Sequence, residues 1–304
     1  MDVENSASAP WGLGTEGLMN AWPIDEAYID YVQSGTEPYA GTYTSIISDS
    51  SIAINASTLE SMNEEDTDKS ISAGWHAIEF LLWGQDNTVP SDYLDGQRDF
   101  TDYTTASDAT RRGLYLTTAT DLLVSNLQEL NNTWANGGAY RTVFMALDND
   151  TALTQLINGP FFMAGDELSS ERMIAPVNST DGISSSGQED EHSCFSDNTN
   201  RDVYANAKGA YNVVFGSYDT INGASFYDLV NQVNPTQAAS LKASADNAMA
   251  KVNIIGNNPL PFDYLITQEL STDASFGPVM TAVQALKDFA DEISASANVI
   301  NINL

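Results

Sequence analysis

Residues 69–86 read Lys-Ser-Ile-Ser-Ala-Gly-Trp-His-Ala-Ile-Glu-Phe-Leu-Leu-Trp-Gly-Gln-Asp. Ile71, Trp75, Ile78 and Leu82 recur at spacings of three and four, which predicts a helix over 69–84 with one apolar stripe. The same texture recurs along the chain, while strand signals are weak. Ser107 to about Trp134 is a second long helical pattern, with Ser107 and Asp108 placed to cap its start and Gly137-Gly138 to end it. Further helices are expected from Ala139 toward Ile157, through Phe162, Leu168, Met173 and Ile174, over Asn198–Phe215, over Thr236–Ile255 behind Pro235, and from about Phe276 to Ala297. Residues 85–106 and 178–190, rich in Pro, Gly, Asn, Ser, Thr and Asp, are expected to be loops and turns.

Seven or so helices with polar connections predict an all-α protein. At 304 residues the economical packing is two four-helix-bundle-like domains. Gly159-Pro160 interrupts the pattern and is the expected seam, giving an N-terminal bundle over 1–158 and a C-terminal bundle over 159–304.

Eleven Lys and Arg stand against 42 Asp and Glu, a formal net charge of -31. Such a field repels phosphate backbones, so nucleic acid is excluded as a partner, and anionic membrane surfaces are disfavoured. The acidic residues are spread along the chain, as on a surface adapted to high ionic strength, and so speak to environment more than to activity. The single cysteine, Cys194, rules out an internal disulfide and any multi-cysteine metal site. No stretch approaches the roughly 18 apolar residues of a membrane-spanning helix, and residues 1–16 do not read as a signal peptide.

Chemistry that needs an imidazole has two places to occur, since the chain has two histidines. His76 and Glu79, three apart on a helix, point from one face and could reach one metal ion, as Glu-x-x-His pairs in bundles do. The same spacing also serves a partly buried His bonded to Glu79 that locks helix packing. Gly74 would let another element come close. The zinc-protease pattern His-Glu-x-x-His is absent. His192 lies in Gln-Glu-Asp-Glu-His-Ser-Cys-Phe-Ser-Asp, residues 188–197. One reading makes this an elaborate helix start, with Ser196 or Asp197 as N-cap and Cys194 and Phe195 buried. The other brings His192 and its neighbours Glu191, Ser193 and Asp197 to a cleft facing His76 and Glu79. Cys194 is a poor nucleophile, because flanking acids disfavour thiolate. Glu167, Glu171 and Arg172 share a helix, where Arg172 forms a structural ion pair or orients a ligating carboxylate. The early segment offers Asp25, Glu26 and Asp30; Asp30 is four residues after Glu26, so one helical face could carry both as ligands, and the plainer reading leaves all three solvated.

Gly74-Trp75-His76-Ala77-Ile78-Glu79 matches the Gly-x-His-x-x-Glu signature of the imelysin family. Ala21-Trp22-Pro23-Ile24-Asp25-Glu26-Ala27-Tyr28-Ile29-Asp30-Tyr31-Val32 resembles the family's early segment, Glu167 to Met173 its mid-chain helix, and Ser184 to Asp197 its iron-regulated protein A branch. The resemblance covers most of residues 20–215. It implies two four-helix bundles and an exported, periplasmic or envelope-associated bacterial protein linked to iron uptake, whose leader lies outside this chain. Family members carry a further helix or two ahead of the Trp-Pro segment, whereas about 20 residues precede Trp22 here, so the first bundle is expected to be short at its N-terminus.

Three functions follow as expectations. In the first, a metal ion (iron, with zinc as the alternative) or an iron-containing ligand binds near His76 and Glu79, with Glu167, Arg172, Glu191, His192, Ser193 and Asp197 as further site residues and an outer- or inner-membrane iron-uptake component as partner. The second is a metallopeptidase of the imelysin type, which needs an open metal position and a general base. The third is a non-catalytic scaffold or receptor partner in which the motifs only fix helix packing.

Overall fold

In the computed structural model, the described residues are 16–33, 44–269 and 277–304. They are all-α apart from one hairpin of two-residue strands, Ser217–Tyr218 antiparallel to Ile221–Asn222. The chain divides into two compact units. One comprises the chain up to Met145 together with His192–Ser196, and the other comprises Ala146–Glu191 and Asp197–Leu304.

The second unit is built on long helical runs: Asn149–Phe162 continuing through Met163–Ile174 to Ala175–Asn178, then Thr199–Phe215, Pro235–Gly256 and Pro278–Val299. Each buries a stripe at helical spacing: Val203, Ala207, Ala210 and Val214; Leu241, Ala245, Ala248, Val252 and Ile255; Val279, Val283, Leu286, Ala290, Ile293 and Ala297. The many alanines let these helices approach closely around one core. Glu269 completes the last of them. Its carboxylate accepts the N–H groups of Gly277, Val279 and Met280 at 3.0, 2.9 and 3.4 Å, satisfying donors that a helix start leaves open.

Helix ends differ from expectation in instructive ways. The helix expected from Ala139 toward Ile157 is two helices, Ala139–Met145 and Asn149–Phe162. Asp148 starts the second by accepting the Thr151 N–H at 3.0 Å. Gly159-Pro160, expected to break or kink the pattern, lies inside a continuous helical run. Pro160 has no N–H to offer, but burial of Ile157, Ala164 and Leu168 in one core holds the run together. Just beyond it the run widens to a π-helix over Met163–Ile174.

The first unit has one long helix, Ala109–Trp134, and the short helices Glu26–Ile29, Ala56–Met62, Trp75–Trp83 and Ala139–Met145, with much irregular backbone among its described residues. Its core gathers Ile24, Ile29, Ile46, Ile47, Leu59, Ile71, Phe80, Leu81, Tyr115 and Phe195. Irregular backbone must still satisfy its polar groups, and three of the six arginines help to do so. Arg111 donates to the carbonyls of Ile46, Ile47, Asp49 and Ile52 at 2.7–3.0 Å. Asp30 accepts Arg98 Nη1 at 2.8 Å, Arg112 Nε at 2.7 Å and Arg112 Nη2 at 2.9 Å. Arg98 also reaches Asp102 Oδ2 at 3.0 Å and the Phe80 carbonyl at 3.2 Å, and Arg112 reaches the Asp102 carbonyl at 2.6 Å. All four of these charged side chains are buried. The solvated reading of Asp25, Glu26 and Asp30 is therefore corrected: all three are buried. Burial is the largest influence on the Arg112 guanidinium and would lower its pKa, but the hydrogen bond and charge of Asp30, with Asp102, more than offset it and the net direction is up.

Phenols held neutral contribute to the alkaline limit of this unit, the buried Tyr28 and the half-buried Tyr103 among them. Tyr28 donates to the Met62 carbonyl at 2.9 Å and Tyr103 to the Leu81 carbonyl at 2.5 Å. Burial first, and then the charges of Asp66 and Glu65 for Tyr28, push both pKa values from 10.0 to about 12. The fold thus favours the neutral phenols, and that contribution is complete below pH 10. It is lost as pH rises toward 12, because the unfolded chain ionises first. Thermal unfolding followed across this window is expected to show a falling midpoint above pH 10 and less of a fall in Tyr28→Phe and Tyr103→Phe. An identical fall in both variants would contradict the assignment.

Candidate functional site

The motif helix is Trp75–Trp83, shorter than the expected 69–84 because Gly74 and Gly84 bracket it at φ 91° and 72°. Neither end can continue as helix in that backbone region. Gly74 serves a close approach, as its position in the motif suggests: a Cβ there would lie 2.6 Å from the Met19 carbonyl oxygen. The buried face also differs from expectation. Trp75 and Leu82, read as part of the core stripe, are about half exposed, at 52% and 47%. The helix instead buries Ala77, Phe80 and Leu81 together with His76 and Glu79, at 2% and 9% exposure. A helix apolar nearly all round gives no unique face by periodicity, and here the polar motif turns inward.

His76 Nδ1 and Glu79 Oε2 are 2.9 Å apart. The other carboxylate oxygen, Oε1, accepts both the backbone N–H and the hydroxyl of Ser196, at 3.1 and 2.6 Å. For a neutral ring beside an ionised carboxylate, which only accepts, the Nδ1–Oε2 contact puts the proton on Nδ1 and the lone pair on Nε2. Nε2 is buried and has no hydrogen-bond partner among the described residues. Such an atom in a native interior calls for an explanation. Against the His76 ring pack the rings of Trp22, with centroid 4.8 Å away, and His192, edge-on at 4.6 Å. Phe195 packs on Trp22 at 5.8 Å and on Phe80 at 5.3 Å. Trp22 precedes Pro23 through a cis peptide bond.

The two histidine motifs therefore meet, because His192–Ser196 belongs to the first unit. His192 and Ser193 are buried there. Glu191 and Asp197, the flanking residues, belong to the second unit; Glu191 is fully buried and Asp197 adopts a left-handed backbone at φ 54°. In the same unit Glu167 and Arg172 pair with each other at 2.6 Å on the π-helix, where residues five apart come into line. Both are partly exposed, so the pair is a modest one. The N-cap expected of Ser196 or Asp197 is corrected: the cap position of Thr199–Phe215 is Asn198, without a side-chain cap bond, and the Ser196 hydroxyl goes to Glu79 instead. Ser196 and Trp22 are the site residues that sequence reasoning missed. The serine was legible only as a cap candidate, and its partner lies 117 positions away.

Chemically, the arrangement offers one buried imidazole nitrogen without a hydrogen-bond partner among the described residues, on a ring packed against Trp22 and a second imidazole. Imidazole nitrogen suits Fe, Zn, Cu and Ni. Both Glu79 oxygens are engaged, so in this geometry the carboxylate acts by orienting His76, as carboxylate–histidine pairs behind metals do.

The family model described as imelysin, Peptidase_M75, matches residues 2–293. A search of curated proteins finds no match to the chain. Among solved structures, a chain described as an iron-regulated protein A precursor from Parabacteroides distasonis is similar in fold, with TM-score 0.64 and 18% identity over 94% of this chain and 75% of that one.

Proposed function

This chain belongs to the imelysin family, and we propose that it is an iron-associated, extracytoplasmic protein that takes a metal ion or iron-containing ligand at His76 Nε2, with Glu79 holding the imidazole and His192 beside it. The observation that carries this reading is the buried Nε2 without a hydrogen-bond partner among the described residues, on a ring whose Nδ1 lies 2.9 Å from Glu79 Oε2. The iron-regulated precursor of similar fold supports the choice of iron over zinc and the extracytoplasmic setting, and a membrane iron-uptake component is the partner that such a role requires. The net charge of -31 draws cations toward the molecule.

A peptidase would need a metal-bound water and a free base. Both Glu79 oxygens already accept hydrogen bonds, which supports a carboxylate that holds His76 more than one that serves as a free base, and binding is the reading the geometry favours.

The test is elemental analysis and titration with iron and zinc of the protein beside His76→Ala and Glu79→Gln. Stoichiometric binding is expected, abolished in His76→Ala and weakened about 10- to 100-fold in Glu79→Gln. Equal affinity in wild type and His76→Ala would overturn the proposal. Loss of thermal stability in the variants with no metal bound by any of the three would favour a packing role. Cleavage of unfolded protein by the loaded form, stopped by chelator, would favour the peptidase.

A further inference from the structure

We infer that Ser196 is a positioning residue for this site: it pins the Glu79 carboxylate so that His76 keeps its proton on Nδ1 and presents a bare Nε2. The metal-binding half of this inference rests on the function proposed above, while the tautomer half stands on geometry alone.

A glutamate side chain has three rotatable bonds, and one hydrogen bond to a neighbour on its own helix does not fix its plane. Here residue 196 supplies two donors to one oxygen, its N–H at 3.1 Å and its hydroxyl at 2.6 Å, from a segment 117 positions away in sequence. With Oε1 so anchored, Oε2 has one place to go, the Nδ1 position of His76 at 2.9 Å. The shorter of the two serine bonds is that of the hydroxyl, at 2.6 Å, in the range of an alcohol bonded to a carboxylate. Remove the hydroxyl and the carboxylate can turn. Nδ1–H then loses its assured acceptor, and the neutral ring is free to carry its proton on Nε2, where it blocks the very atom that would bind. Trp22 and His192 pack against the ring and hold it in place.

The chain has two histidines, which makes the state directly readable by nitrogen-15 NMR of histidine-labelled full-length protein, at a pH where imidazole is neutral. His76→Ala assigns the signals. Wild type is expected to show His76 as the Nδ1–H tautomer. Ser196→Ala is expected to shift it toward a mixture, and Ser196→Thr, which keeps the hydroxyl, to restore it. Iron or zinc affinity, measured on the same three proteins, is expected to fall about 10-fold in Ser196→Ala, the lower end of the range for groups behind a ligand because the backbone N–H remains, and to recover in Ser196→Thr. An unchanged tautomer in Ser196→Ala, or an equal shift in Ser196→Thr, would overturn the inference. If His76→Ala binds metal as wild type does, the functional reading fails while the NMR result still decides the role of Ser196.

Discussion

Asp30→Ala is expected to cost the first unit about 3–5 kcal/mol, a fall of roughly 6–20 °C in its unfolding midpoint. The carboxylate is the hub for two buried guanidiniums, accepting from Arg98 and from both Nε and Nη2 of Arg112. Its removal leaves Arg112 with the Asp102 carbonyl as its remaining bond in this network, at 2.6 Å, in a site where a charge without its counter-charge is strongly disfavoured. The cost is therefore mainly that of stranding Arg112, which sets a second expectation. Asp30→Ala combined with Arg112→Met should be less destabilised than the sum of the two single changes, with a coupling of about 1–3 kcal/mol. Chemical denaturation of the four proteins measures both quantities. A single-variant loss under about 1 kcal/mol, or strict additivity, would show the network to be incidental. Its position argues otherwise, because it joins the segment after Glu26–Ile29, the turn at Phe100–Tyr103 and the helix Ala109–Trp134, which have little regular structure in common.

That network marks the boundary of what the sequence reveals. Helices whose apolar residues fall on one stripe were legible: Thr199–Phe215, Pro235–Gly256 and Pro278–Val299 lie within two residues of expectation at each end. The relation of His76 to Glu79 was legible too, because a helix puts residues three apart on one face. Three kinds of feature were not. The motif helix is apolar on nearly every side, so Trp75 and Leu82 looked as buried as Ala77 and Phe80. Pro160 obeys a local rule in most helices, but burial of its neighbours outweighs one lost backbone bond. Asp30 with Arg98 and Arg112, and Glu79 with Ser196, are 68, 82 and 117 positions apart. A charged or hydroxyl side chain says nothing locally about a partner at that distance, and in so acidic a chain the simplest expectation for Asp30 is solvation.

The same substitution at two glycines should move stability in opposite directions, and the larger effect falls on the motif. Gly74 sits at φ 91°, ψ -174°, a backbone region that is essentially reserved for glycine and costs other residues of order 1–3 kcal/mol. Its added Cβ would stand 2.6 Å from the Met19 carbonyl oxygen and 2.8 Å from its carbon, so the backbone at Met19 must move. Crowding of that kind adds roughly 1–3 kcal/mol, and Gly74→Ala is expected to lose about 2–6 kcal/mol in all. Gly113, inside Ala109–Trp134, has no atom within 4 Å of the corresponding position and is in ordinary helical backbone, so Gly113→Ala is expected to gain about 0.5–1 kcal/mol. Met19 lies three residues before Trp22, whose ring packs 4.8 Å from His76, so the displacement at Gly74 also reaches the candidate site. Gly74→Ala should therefore weaken metal binding in whatever fraction remains folded, whereas Gly113→Ala should leave it unchanged. Urea unfolding of both variants, with metal titration of the folded protein, separates the two effects. A stable Gly74→Ala protein with wild-type affinity would mean that the glycine of the motif is dispensable, and that the approach of Met19 is not what shapes the surroundings of His76.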